Sequence, residues 1–370
     1  MSKKVVVGMS GGVDSSVAAY LLKLQGYDVT GVTMQVFDET VPRQSARDDR
    51  CCGMEAVDDA RRVCLRIGIP YSVVGCKEIF DEKVVHPFIH DYINGRTPNP
   101  CLLCNRYIKW AVLRKKAEEI GAEYIATGHY ARVKQLPNGR VTVQNSIYAA
   151  KDQTYVLSFL SQEELSCALM PLGEYDKAQV RQIARDAGIP VASKPESEDI
   201  CFIDDKDYAG FIDRNAKDHV PSPGRFIYKD GTDLGRHKGI THYTVGQRRG
   251  LGIAMGHSVY VTKIDARTNT VWIGETSDLM QNELTCRGIN FMAKAQGEVP
   301  FNTVMGEKDR VFSCRIRSRA QAVPCSFERK GEDEIVVRFF EPVRAVTPGQ
   351  AAVIYQDDYI YLAGTIVENA

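Results

Sequence analysis

Three consecutive valines, Val5 to Val7, form an unbroken apolar run that reads as a buried strand. Residues 15–25 follow with Val17, Leu21 and Leu24 spaced for one helical face. The texture then repeats. Residues 28–37 predict a strand, a polar loop runs to Arg50, Met54–Ile67 predicts a helix, and residues 71–74 a short strand. A helix over 77–92, interrupted by Pro87, leads through "GRTPNPCLLCNRYIKW" to a helix ending at Glu119 and a strand at 124–127. Strands alternating with helices predict an α/β doubly wound parallel sheet, and "LPNGR" at 136–140 marks an Asn-Gly hairpin.

Beyond Met170 the pattern changes. "PLGEYDKAQVRQIARDAGIP" predicts a helix capped by Asp176 and stopped at Gly188, and "YAGFIDRN" a shorter one. From Gly224 onward, alternating apolar positions in "HSVYVTKID", "TVWIGE", "DEIVVRFFE" and "AAVIYQDDYIYLAGTIV" predict antiparallel strands and a small β-barrel. The expected organisation is a catalytic domain over 1–170, to which the 192–206 segment returns, a small mixed central domain over 171–275 and a C-terminal antiparallel β-barrel over 276–370.

Composition narrows the class. At 370 residues and 44% hydrophobic content the chain supports two or three packed domains. It enters its first strand within four residues, and no stretch approaches about 18 unbroken apolar residues, so neither a signal peptide nor a membrane span is expected and the cytosol is the default compartment. Eleven cysteines in a reducing compartment argue against a disulfide framework. Cys64 shares a helical face with Val57, Ala60 and Ile67, and it joins Cys76, Cys167, Cys286, Cys314 and Cys325 as structural. Net charge is zero, yet 234–264 and 311–327 lack acids while carrying Arg236, Lys238, Arg248, Arg249, Lys263, Arg315, Arg317 and Arg319. Each is either a phosphate contact or part of a solvated strand face.

The chemistry concentrates first at Gly8-Met9-Ser10-Gly11-Gly12-Val13-Asp14-Ser15. A glycine-paired turn between strand and helix points backbone N–H groups and a helix dipole at an anion. There is no lysine for a G-x-x-x-x-G-K-[ST] P-loop and no G-x-G-x-x-G spacing. Asp14 beside phosphate makes sense through magnesium, which screens the repulsion. Cys104 follows a Thr-Pro-Asn-Pro turn at the start of a predicted helix, where the dipole lowers a thiol pKa. Cys201, in "EDICFI", reads on its own residues as a buried strand cysteine.

"SGGVDSS" resembles the SGGxDS loop of the PP-loop ATP pyrophosphatases. "GMSGGVDSSVAAYLL", "CCGMEAVDDARRVC", "GRTPNPCLLCNRYIKW", "ATGHYARV", "AKDQTYVL", "SEDICFI", "GQRRGLGI" and "PGQAAVIY" together resemble the bacterial tRNA-specific 2-thiouridylases over essentially the whole chain. That resemblance implies ATP-dependent replacement of the wobble uridine 2-oxygen by sulfur, releasing AMP and pyrophosphate. It adds Met34 and Gly128 to the nucleotide site. It implies a persulfide on Cys201, loaded by a sulfur donor or relay protein, with Cys104 as partner nucleophile. It places Asn99, Pro100 and Cys101, His129, Lys151, Asp152 and Gln153, and Arg317, Ser318 and Gln350 against tRNA. Some members carry Asp where this chain has Cys101, which opens an alternative in which Cys101, Cys104 and Cys201 hold an iron–sulfur cluster. Two other readings are weaker. A PP-loop amide-forming enzyme leaves the cysteines unexplained, and a noncatalytic RNA-binding protein does not need the complete loop.

Overall fold

The computed structural model describes residues 2–37, 54–195, 200–203, 205, 207–216, 219–299, 302–303 and 312–367. The polar loop expected up to Arg50, the Cys51-Cys52 pair, and Ser197 to Asp199 of "SEDICFI" lie outside them. The chain divides into two compact units. The first comprises Met1–Val84, Pro100–Lys206 and Asp358–Ile360, and the second Val85–Asn99, Asp207–Asp357 and Tyr361–Ala370.

The strands of the first unit are β1 (Lys4–Gly8), β2 (Asp28–Gln35), β3 (Tyr71–Gly75), β4 (Tyr124–Ala126), β5 (Ala131–Gln135), β6 (Val141–Asn145) and β7 (Ala168–Leu169). Its main helices are α1 (Val13–Leu24), α2 (Met54–Ile67), α3 (Ala111–Ile120) and α4 (Lys177–Asp186). Five strands form one parallel sheet in the order β3-β2-β1-β4-β7. The valine run is its central strand, which explains why it does not alternate: a parallel strand covered on both faces buries every side chain. On one face Val5, Val7 and Met9 pack with Val17 and Leu22 of α1, Ala60 and Cys64 of α2, and Val180 and Ala184 of α4.

Val57, Ala60, Cys64 and Ile67 share the buried face of α2 as expected. The face of α1 differs from the reading. Its buried stripe is Val13, Val17, Ala18 and Leu22, whereas Leu24 is 65% exposed. Two residues past Leu22 is about 200° around a helix, so the stripe that meets the sheet excludes it. The hairpin β5–β6 forms at Asn138-Gly139, with Ala131 opposite Asn145, and Tyr359 pairs with Gln144. Asp176 caps α4 through a reciprocal box with Gln179.

The second unit carries β8 (Arg225–Tyr228), β9 (Asp233–Arg236), β10 (Tyr260–Asp265), β11 (Thr270–Gly274), β12 (Met280–Phe291), β13 (Asn302–Thr303), β14 (Phe312–Arg315), β15 (Val323–Arg329), β16 (Glu334–Arg344), β17 (Ala351–Gln356) and, from Tyr361 onward, β18 (Tyr359–Val367). A four-stranded sheet has the order β10-β11-β8-β9. Its β8–β11 pair is parallel, which corrects the expectation of antiparallel strands throughout. The long crossover from β9 to β10 supplies the chain length that a parallel neighbour needs. The order β12-β16-β15-β14-β17-β18 closes on itself through an antiparallel β12–β18 pair, giving the expected barrel.

Candidate active site

β1 ends at Gly8 and α1 begins at Val13, so residues 9–12 carry the chain from the centre of the sheet onto a helix. Met9 extends the ladder: its N–H donates to the Val32 carbonyl at 2.8 Å and its carbonyl accepts from Thr33 Oγ1 at 2.8 Å. Gly11 has φ +68°, and a Cβ there would lie 2.3 Å from the Ala56 carbonyl oxygen. Gly12 is the helix N-cap and offers no capping side chain. Ser15 Oγ accepts from the Ser10 N–H at 3.1 Å and donates to the Gly12 carbonyl at 3.2 Å, which fixes the loop. Gly128, just past β4, closes the other side: its Cβ would fall 2.6 Å from the Ser15 nitrogen. Two positions that a single methyl group would fill thus shape a cradle at the positive end of α1, and such a cradle fits phosphate oxygens. Met9 and Met34 are both buried, with Met34 Cε beneath Gly8.

Asp14 projects from the first turn of α1. The Tyr130 hydroxyl donates to its Oδ1 at 2.7 Å, and Lys177 Nζ donates to Oδ1 at 2.7 Å and Oδ2 at 2.9 Å. Both carboxylate oxygens thus face an ammonium, and a magnesium ion beside Asp14 requires that this ammonium turn away. Tyr130 is itself held at both ends of its peptide by Gln153, which accepts from its N–H through Oε1 and donates to its carbonyl, each at 2.9 Å. Lys177 and Tyr130 escaped the sequence reading. Lys177 lies 163 positions from Asp14, and its only local signal, adjacency to the Asp176 cap, speaks of helix initiation.

Cys104 is not at a helix start. A short helix runs Pro100–Leu103 and Cys104 opens a π-helical stretch, Cys104–Trp110, before α3. The first-turn dipole argument therefore passes to Cys101, which is exposed, while Cys104 is half-buried. Cys201 is not in a strand either. It is half-buried in a turn closed by the Ile203 N–H donating to the Ile200 carbonyl, and the buried Phe202 and Ile203 anchor that turn. Phe202 meets Phe80 edge-on at 5.7 Å between ring centroids. Cys64, Cys76 and Cys325 are buried, which pushes their thiols up to about 12, about 11 and about 12. Cys167, Cys286 and Cys314 shift upward for the same first cause. Among the described residues no group of three or more His, Cys, Asp or Glu side chains is placed to hold a metal ion.

The family described as tRNA methyl transferase HUP domain matches residues 3–205, the tRNA methyl transferase PRC-barrel domain 211–275, and the aminomethyltransferase beta-barrel domain 269–366. A tRNA-specific 2-thiouridylase of Lachnoclostridium phytofermentans is 49% identical over 99% of this chain and 100% of its own. Another from Clostridium acetobutylicum is 48% identical over the same shares, and one from Clostridioides difficile 44% identical over 100% of this chain and 99% of its own. The chain belongs to the tRNA-specific 2-thiouridylase family. Among solved structures, a 4-thiouridine synthetase–RNA complex with bound ATP overlaps 54% of this chain and 45% of its own at 20% identity and a TM-score of 0.33.

The residues through which a thiouridylase is expected to meet tRNA fall in both units. Pro100 is buried, Lys151 and Asp152 are half-buried and Gln153 is exposed in the first unit. Asp152 accepts from the Ser146 N–H at 2.9 Å and the Thr154 hydroxyl at 2.6 Å, so its carboxylate shapes the loop. His129 is buried against Thr127 Oγ1 at 2.8 Å, and burial, aided by the Lys109 charge, holds its pKa well below the ordinary value, leaving a neutral imidazole. In the second unit, Gln350 Nε2 donates to the Thr97 carbonyl at 2.7 Å, while the Thr97 N–H donates to Pro348 at 2.8 Å; together they fix the approach to half-buried Asn99. Arg317 Nη2 donates to the carbonyls of Val245 at 3.1 Å and Ala345 at 2.9 Å and to Thr347 Oγ1 at 2.7 Å. That nitrogen is turned inward, where the sequence had offered a phosphate contact. Ser318, Arg319, Arg236, Lys238, Arg248, Arg249 and Lys263 are exposed.

Proposed function

We propose that the protein converts the wobble uridine of tRNA to 2-thiouridine, with ATP bound at the loop from Gly8 to Ser15 and with sulfur carried on Cys201. The observation that carries the ATP assignment is the cradle formed where Gly11 meets Ala56 and Gly128 meets Ser15. A uracil 2-oxygen is a poor leaving group. Its attack on the α-phosphorus forms an O–P bond and breaks the bond to the β-phosphate oxygen, so pyrophosphate departs, and loss of the N3 proton leaves a neutral adenylated base. The terminal sulfur of a Cys201 persulfide then bonds to C2, and AMP leaves with the C–O electron pair. Cys104 attacks Cys201 Sγ, the S–S bond breaks toward the sulfur on C2, N3 regains a proton to give 2-thiouridine, and a Cys104–Cys201 disulfide remains for a thiol reductant to reopen. A persulfide donor or relay protein reloads Cys201.

The base has to leave its anticodon stack to reach these thiols. Pro100, Cys101, His129 and the Lys151-Asp152-Gln153 loop are proposed to face it from the first unit. Asn99, Ser318, Gln350 and the exposed arginines serve the tRNA from the second. The three-domain division expected from sequence, at 170 and 275, remains the proposed functional one. Among the described residues no helix is long and apolar enough to cross a membrane, and the cytosol is the proposed location.

Two measurements test the reading. Pyrophosphate release from ATP is expected to depend on tRNA; release without tRNA, driven by a small carboxylate, would favour the amide-forming alternative. Thiolation is expected to vanish in Cys104→Ser and in Cys201→Ser and to persist in part in Cys101→Ser. Activity found only after anaerobic reconstitution with iron and sulfide, and lost in all three variants, would replace the persulfide route by a cluster.

A further inference from the structure

We propose that Lys177 is a ligand of the ATP phosphates, held ready by Asp14 until the nucleotide arrives. The inference rests on the ATP reading of the loop. Lys177 is the first residue of α4, and the backbone beneath it is firmly placed. Asp176 and Gln179 cap the helix reciprocally, and Val180 and Ala184 are buried in the same core as Val17 and Leu22 of α1. From that fixed base its ammonium reaches the mouth of the phosphate cradle, 2.7 and 2.9 Å from the two Asp14 oxygens. The pair is not sealed: the side chains are 15% and 31% exposed.

Asp14 does not require this lysine as its sole support. It lies in the first turn of α1, where the helix dipole favours a carboxylate, and the Tyr130 hydroxyl donates to it at 2.7 Å. A carboxylate beside a phosphate cradle repels the ligand, whereas a neutral Asp–Lys pair does not. An ammonium is a compact point charge with three donors on a flexible stem, so it can rotate from carboxylate to phosphate while its backbone stays still. When ATP brings several negative charges to the cradle, Lys177 is the nearby cation that turns to them, and Tyr130 continues to hold Asp14. The ring centroid of Tyr130 lies 5.8 Å from Nζ.

The test uses the full-length protein and equilibrium ATP binding by calorimetry, with D14N as the reference. Removing Lys177 after its carboxylate partner has gone separates a phosphate ligand from a mere counter-ion. D14N/K177M is expected to bind ATP about tenfold or more weakly than D14N, as befits a lost charge-assisted hydrogen bond. D14N/K177R is expected to restore most of that loss, and the salt dependence of binding is expected to be shallower in D14N/K177M. Equal ATP affinity in D14N and D14N/K177M overturns the proposal, and D14N/K177Q repeats the comparison with a polar side chain if the methionine variant does not fold. Failure of the wild-type protein to bind ATP at all would instead overturn the ATP reading of the loop, and Lys177 with it.

Discussion

The phosphate loop and the turn at Ala345 both hold a residue in left-handed backbone, and they do so by opposite means. Gly11, at φ +68°, has no side chain to strain, and its missing Cβ is what lets the loop close on Ala56. Ala345, at φ +59°, carries a methyl group in a conformation that costs a non-glycine residue about 1–2 kcal/mol. It is kept there by its N–H donating to Leu279 at 2.8 Å and by Arg317 Nη2 on its carbonyl. In the loop the geometry resides in the backbone and a glycine announces it. At the turn it is held by side chains, the Arg317 guanidinium and the Thr347 hydroxyl both donating to the Ala345 carbonyl at 2.9 Å, and no glycine announces it.

Breaking the first case should have the larger effect. Gly11→Ala is expected to cost at least about 3 kcal/mol of stability, combining left-handed strain with a clash against backbone, and to abolish ATP-to-AMP conversion. Thermal melting and pyrophosphate release would check it, and a well-folded, active variant would mean that the loop has room that the Ala56 contact denies. Arg317→Ala should be milder, at about 2 kcal/mol, because it strands carbonyls that accept from a charged donor. If the guanidinium is a clamp, melting temperature falls and the salt slope of tRNA binding stays put. A slope reduced by about one unit with no loss of stability would return Arg317 to the phosphate contacts. Ala345→Gly should matter least. Relief of strain is offset by a lost buried methyl, worth about 0.8 kcal/mol, and by a freer unfolded chain, so stability should move by less than about 1 kcal/mol. A loss of 2 kcal/mol or more would show that the methyl, not Arg317, secures the turn.

The same contrast explains what could be read from sequence. The valine strand, the α2 face through Cys64, the Asp176 cap and the Asn138-Gly139 hairpin were legible because each is a short-range pattern with one physical meaning. The glycine-rich loop belongs with them. The parallel β8–β11 pair was not, since strand direction depends on how a long connection returns. Nor was Lys177, whose role is defined by a partner 163 residues away. For Arg317 an acid-free stretch reveals a cation but not the Val245, Ala345 and Thr347 partners of its Nη2. Cys104 was picked out by its Thr-Pro-Asn-Pro turn, though not its place in a π-helical stretch, and Cys201 stood out only through its family motif, because the turn that holds it is a tertiary property.

The π-helical stretch at Cys104–Trp110 has a consequence for how this segment tolerates change. A wider coil accommodates an extra residue within a helix and shifts the phase of everything after it. Here the stretch carries the chain from Cys104, at its start, to Trp110, at its end, with Trp110 and the following Leu113 fully buried. Deleting a single residue within 105–109 would let the stretch relax to an ordinary helix and swing one end by about 100° relative to the other. Either the tryptophan leaves its seat or the thiol turns away from its station. A one-residue indel, usually cheap in a loop, would here act as a rotation of the Cys104 thiol.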